Sequence, residues 1–133
     1  MARLHPSRTL SVAIERAPAD VYAFAADPQN LPAWSFLTSV ALEDGVWRAQ
    51  TPEGTVSLRF APPNPLGVLD HFVTVAPDTE VYVPMRVIPN GGGSEVLFTL
   101  FRLDSMSDEA FERDAQTVAR DLAKLKEVLE AAG

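Results

Sequence analysis

Residues 107–133 read Ser107-Asp108-Glu109-Ala110-Phe111-Glu112-Arg113-Asp114-Ala115-Gln116-Thr117-Val118-Ala119-Arg120-Asp121-Leu122-Ala123-Lys124-Leu125-Lys126-Glu127-Val128-Leu129-Glu130-Ala131-Ala132-Gly133, and their periodicity decides the fold class. Phe111, Ala115, Val118, Leu122, Leu125 and Leu129 recur at alternating steps of four and three, which places them on one stripe of an α-helix. Glu112, Arg113, Gln116, Arg120, Lys124, Glu127 and Glu130 fall outside the stripe. Ser105 or Ser107 suits the helix start, with Asp108 and Glu109 at the positive end of the dipole and Lys124 and Lys126 toward the other pole. Such a helix needs a surface to cover its apolar face, and the residues upstream supply mainly strands.

Thr9 to Arg16 alternates apolar and polar residues, the pattern of a half-buried strand. Ala17-Pro18-Ala19-Asp20 breaks it and opens a short helix, which Asp27-Pro28 stops. Gln29 to Trp34 has room only for a turn or a second short helix. Strands are expected at Phe36–Leu42, Val46–Gln50 and Thr55–Phe60, followed by the proline-rich stretch Ala61–Pro65, which no sheet interior accepts. Val68–Val75, Glu80–Ile88 and Glu95–Leu103 then form a three-strand meander with turns at Ala76–Thr79 and Asn90–Gly93. The triple glycine lies between two strands rather than before a helix, so it reads as a hairpin turn and not as a phosphate loop. The order predicts an α+β domain over residues 1–133: six or seven antiparallel strands with one long helix laid across them.

The totals narrow the function classes. The chain has 133 residues, 47% hydrophobic and 22% charged, with no cysteine, which excludes disulfides, thiolate metal sites and cysteine nucleophiles. A formal net charge of −7 argues against nucleic acid as a partner, because phosphate binding is driven by clustered Lys and Arg. No apolar run approaches the ~20 residues that span a bilayer, and no apolar signal segment follows Met1-Ala2-Arg3-Leu4-His5-Pro6. A cytoplasmic location without membrane insertion is the expectation. Two separated histidines give no metal-ligand spacing, no nucleophile motif is present, and no cofactor is expected.

Residues 14–24, Ile14-Glu15-Arg16-Ala17-Pro18-Ala19-Asp20-Val21-Tyr22-Ala23-Phe24, then Asp27-Pro28-Gln29-Asn30-Leu31-Pro32-Ala33-Trp34, and the amphipathic helix together carry a resemblance. The chain resembles the START and Bet v 1-like superfamily, and within it the polyketide cyclase/dehydrase-like bacterial members. The resemblance implies a helix-grip fold, with a curved sheet closing on the long helix around an apolar cavity. It also implies lipid-like, aromatic or polyketide-like molecules as the class of ligand, but it carries over no catalytic residue.

Strand register ranks the candidate site residues. A two-residue turn at Pro77-Asp78 sets Phe72 opposite Val83 and Asp70 opposite Met85; one at Gly91-Gly92 sets Met85 opposite Phe98 and Val83 opposite Leu100. One face then holds Asp70, Phe72, Val81, Val83, Met85, Val87, Val96, Phe98 and Leu100; the other holds His71, Tyr82, Arg86, Leu97, Thr99 and Phe101. The more apolar first face is assigned to the cavity, although a one-residue shift in the first turn exchanges Asp70 for His71. The expected ligand-binding residues are Trp34 at the cavity mouth, Phe60, Asp70, Phe72, Val83, Met85, Phe98 and Leu100. Ala115, Val118 and Leu122 of the helix complete the set, and Ala115 and Ala119 mark the highest part of the roof. Asp70, His71 and Arg86 are the candidates for acid–base chemistry.

The leading expectation is a protein that binds a small hydrophobic ligand between sheet and helix. The alternatives are a cyclase/dehydratase-type enzyme using the same cavity, and an interaction protein whose cavity is filled by Phe72, Met85, Phe98 and Leu100. Tyr82, Leu97, Phe101 and Leu103 put enough apolar surface on the opposite sheet face to suggest a homodimer there.

Overall fold

The computed structural model describes residues 3–76 and 79–132. Its strands are β1 (Ser7–Ile14), β2 (Ser39–Glu43), β3 (Val46–Thr51), β4 (Gly54–Phe60), β5 (His71–Ala76), β6 (Thr79–Val83), β7 (Met85–Asn90) and β8 (Gly93–Phe101). Helices α1 (Pro18–Ala25) and α2 (Leu31–Trp34) follow β1, and α3 (Asp108–Ala132) closes the chain. All ladders are antiparallel, in the orders β1-β8-β7 and β2-β3-β4-β5-β6.

The stretch expected as one strand from Glu80 to Ile88 is two, because Pro84 interrupts it. Proline has no N–H to give the ladder. The two ladders stay joined there: the Pro84 carbonyl accepts from the Thr99 N–H at 3.0 Å. The strand expected from Val68 begins only at His71, but residues before it still lie along β7, with Val68 bridging Arg86. Gly67 makes that approach possible. Its φ is +73°, and a Cβ would sit 2.2 Å from the Val87 carbonyl oxygen, so no other residue fits without backbone movement. The strand expected from Phe36 starts at Ser39 instead.

Helix α3 begins where the Ser107 Oγ accepts from the Ala110 N–H at 3.1 Å. Its stripe buries Ala115, Val118, Leu122, Leu125 and Leu129, with Leu125 fully enclosed; Ala119, expected on or beside the roof, is exposed. The helix packs on β1, β8 and α2. Polar contacts fasten it at both ends to β1 and to the two residues that follow β1. Arg8 pairs with Glu112 at 2.6 Å near the start. Near the finish Arg16 Nη1 donates to the Leu129 carbonyl at 2.7 Å, Lys126 Nζ donates to the Ala13 carbonyl at 2.9 Å, and the Glu15 N–H donates to Glu130 at 2.9 Å. Arg16 thereby meets one of the carbonyls that every helix C-terminus leaves open. The core runs continuously from Ile14 and Val96 through Trp34 and Leu58 to the α3 stripe.

Candidate functional site

Alternation along each strand defines a concave face toward α3. Trp47 and Ala49 of β3 share it with Val56, Leu58 and Phe60 of β4, because Trp47 pairs Leu58 and Ala49 pairs Val56. β5 adds His71 and Val73, opposite Phe60 and Leu58. Val83, Met85, Val87, Val96, Phe98 and Leu100 continue it across β6, β7 and β8. Among these side chains only His71 is polar.

His71 reaches this face through a one-residue irregularity. Ala76 pairs Thr79, as a two-residue turn requires, although Pro77 and Asp78 themselves lie outside the described residues. Between Thr74 and Ala76 the register slips, so that Thr74 meets Glu80 and His71 meets Val83. A bulge of one residue turns every side chain beyond it to the opposite face. The expected placement of Asp70 and Phe72 on the inward face is therefore corrected, and His71 and Val73 stand on that face instead. The Gly91-Gly92 turn carries no bulge, and Met85 does lie opposite Phe98.

The His71 ring lies 6.0 Å from the Phe60 ring and 5.9 Å from the Phe98 ring, and its Nδ1 is 3.1 Å from the Leu69 carbonyl oxygen. Burial lowers the imidazole pKa below its ordinary value, against the Leu69 carbonyl and the Asp70 charge, which favour the protonated ring. On α3, Asp121 falls beside the apolar stripe, three residues from Val118 and four from Leu125. Burial pushes its carboxyl up to about 7, although the Phe36 backbone N–H and the Arg120 charge favour the ionised form. Sequence reasoning missed Asp121; its i+3 and i+4 relation to stripe residues was the available signal. Trp34, expected at the cavity mouth, instead lies in the core at 5% exposure, with its Nε1 fully enclosed and without a partner among the described residues. Phe36, two residues on, is the exposed aromatic of that corner.

Asp70 and Arg86 sit together on the outer face. Asp70 accepts from Arg86 Nε at 3.1 Å and Nη2 at 2.8 Å, from the Tyr82 hydroxyl at 2.9 Å and from the Met85 N–H at 2.9 Å. Burial alone raises the Asp70 pKa, but these bonds outweigh it and hold the carboxyl below its ordinary value. The carboxylate thus fixes the break at Pro84 rather than serving the interior. Phe72 is also outside, stacked on Tyr82 at 5.1 Å and with the Arg59 guanidinium 4.1 Å from its ring centroid. Phe101 extends the stack, 6.4 Å from Tyr82.

The remaining expected ligand residues, Phe60, Val83, Met85, Phe98, Leu100, Ala115, Val118 and Leu122, belong to the concave face or to the apolar stripe of α3. Two surface clefts lie elsewhere. One of about 380 Å³ is bordered by Ile14, Gly93 and Lys126; another of about 290 Å³ lies between α1 and β7. Lys126 in the first is already engaged by Glu130 at 2.6 Å. Among the described residues no group of three His, Asp or Glu is placed to hold a metal ion, and no helix is long and apolar enough to cross a membrane.

No family model matches the sequence, and no curated protein matches it either. Solved structures do match in three dimensions. The chain is similar to XoxI from Bacillus cereus at 22% identity and a TM-score of 0.79, covering 96% of this chain and 98% of that one. A START superfamily protein from Mycobacterium smegmatis is similar at 11% identity and a TM-score of 0.73, covering 96% and 99%. Ara h 8.0201 is similar at 14% and 0.73, covering 95% and 98%. These likenesses establish the fold, the helix-grip architecture that this chain shares with those structures.

The Asp121 carboxyl makes stability depend on pH. Its folded pKa lies above the unfolded value near 3.8, so the folded state holds the extra proton and stability falls as pH rises from about 4 to about 7. Asp121→Asn removes that loss. Denaturant melts should show the variant's advantage over wild type growing through this window to about 1–2 kcal/mol and then levelling. An advantage that stays flat from pH 4 to pH 8 contradicts a buried Asp121.

Proposed function

We propose that the protein binds a small, uncharged, largely apolar molecule, aromatic or lipid-like, between α3 and the concave face. One observation carries this reading: Phe60, Val73, Phe98 and Leu100 point inward from central strands yet stay only partly buried. Inward apolar surface left in contact with water forgoes about 25 cal/mol per Å², and an apolar ligand recovers it. Helix α3 leans on β1 and β8, so β3, β4 and β5 face it across the wider part of the grip. The helix-grip fold, whose resemblance implies hydrophobic ligands, supports the same reading.

The alternatives are weaker on this geometry. A self-filled interior keeps Met85, 3% exposed, but loses Phe72 to the outer face, while Phe98 and Leu100 remain partly open. A cyclase-type enzyme keeps one of its three candidate groups, His71, because Asp70 and Arg86 engage one another outside.

The test is a titration with 1-aminoanthracene, an uncharged fluorescent ring compound. Saturable one-to-one binding with energy transfer from Trp34 and Trp47 is expected. Val73→Trp, which fills the space from the sheet side, should weaken it at least about tenfold, equivalent to roughly 1.4 kcal/mol, without changing the circular dichroism. Absence of saturable binding, or unchanged affinity in a folded Val73→Trp protein, counts against the reading.

A homodimer through the outer face is also proposed. Tyr82, 40% exposed, stands at its centre with Leu97 and Phe101 half-buried around it. Light scattering should give twice the chain mass at high concentration, reduced by Tyr82→Glu. A monomer mass at every concentration removes the proposal.

A further inference from the structure

We infer that His71 is the specificity-determining residue of this interior: its Nε2 accepts a hydrogen bond from a hydroxyl carried on a flat, uncharged ring. The inference rests on the binding reading above and names the class of ligand.

The tautomer follows from the partner. A carbonyl oxygen can only accept, so the contact of 3.1 Å from Nδ1 to the Leu69 oxygen requires the hydrogen on Nδ1. In a neutral imidazole the second nitrogen is then an acceptor. The lowered pKa keeps the ring neutral near pH 7. Nδ1 turns toward the Leu69 carbonyl, two residues before β5 begins, so Nε2 lies across the ring from that contact.

The surroundings of Nε2 complete the case. Among the described residues it has no hydrogen-bond partner. His71 keeps part of its surface accessible, and Nε2 is not among the fully enclosed atoms left without a partner. An acceptor on an otherwise apolar wall favours a ligand with a donor, and it repels a carboxylate, which offers only lone pairs. Among the described residues, Arg59 and Arg86 lie on the outer face, and Arg8 is committed to Glu112. The Phe60 and Phe98 rings, inclined at 40° and 68° to the imidazole, are its aromatic neighbours and offer edges and faces to a flat ring brought up to it.

Three probes of one ring system separate the possibilities in calorimetric titrations at pH 7.5: 2-naphthol, its methyl ether and 2-naphthoate. Wild-type protein should bind 2-naphthol about tenfold more tightly than the ether, the size expected for one buried hydrogen bond, and the carboxylate least. His71→Phe should bind naphthol and ether alike. His71→Gln, which restores a side-chain acceptor, should recover part of the preference even if the phenylalanine variant does not fold. Equal affinity of wild type for naphthol and ether overturns the inference and leaves the pocket standing. Failure of all three to bind overturns both. A preference that survives in His71→Phe and vanishes in Asp121→Asn moves the acceptor to α3 and also overturns it.

Discussion

The slip of one residue between Thr74 and Ala76 sets the chemistry of both faces of the sheet. Side chains on a strand alternate, so an added residue exchanges inside for outside along the rest of the ladder. Without it Asp70 would be carried inward, away from Arg86 and Tyr82 and toward Phe60 and Phe98. With it the carboxylate stays with its cationic and hydroxyl partners, and the interior receives an imidazole that can remain neutral. Burying a neutral imidazole costs far less than burying a carboxylate, and that difference favours the slipped register.

The second constraint is the way α3 is fastened. Arg8–Glu112 at one end, and Arg16, Lys126 and Glu130 at the other, tie the helix to β1 and the two residues that follow it. Its apolar stripe closes over β1 and β8, and the wall formed by β3, β4 and β5 faces it from farther off. Exposed ion pairs contribute little individually. Their role here is to fix the helix laterally, while the buried leucines supply most of the hold. A grip closed on one side and wider on the other leaves the inward phenylalanines of the sheet partly uncovered.

Much of this was legible in the sequence. The α3 stripe, the short helices after β1 and the Gly91-Gly92 turn depend on local periodicity or on glycine and proline chemistry, which leave marks in the residues themselves. The inward set from Val83 to Leu100 followed from the same alternation. The bulge near Val75 left no such mark, since any residue tolerates the extra position, and so Asp70 and Phe72 were assigned to the wrong face. Asp121 escaped for a different reason: a carboxylate on a helix flank is ordinarily solvated, whereas this one is partly buried beside the Phe36 backbone. Trp34 looked like a rim residue because it ends a short helix, but that helix turns its indole into the core.

The most direct measurement is the tautomer and titration of His71 by nitrogen-15 imidazole spectroscopy. The structure predicts a neutral ring carrying its hydrogen on Nδ1, with a pKa below the ordinary imidazole value. A ring carrying its hydrogen on Nε2, or one that titrates at or above the ordinary imidazole value, would contradict an inward His71 and with it the assignment of the concave face.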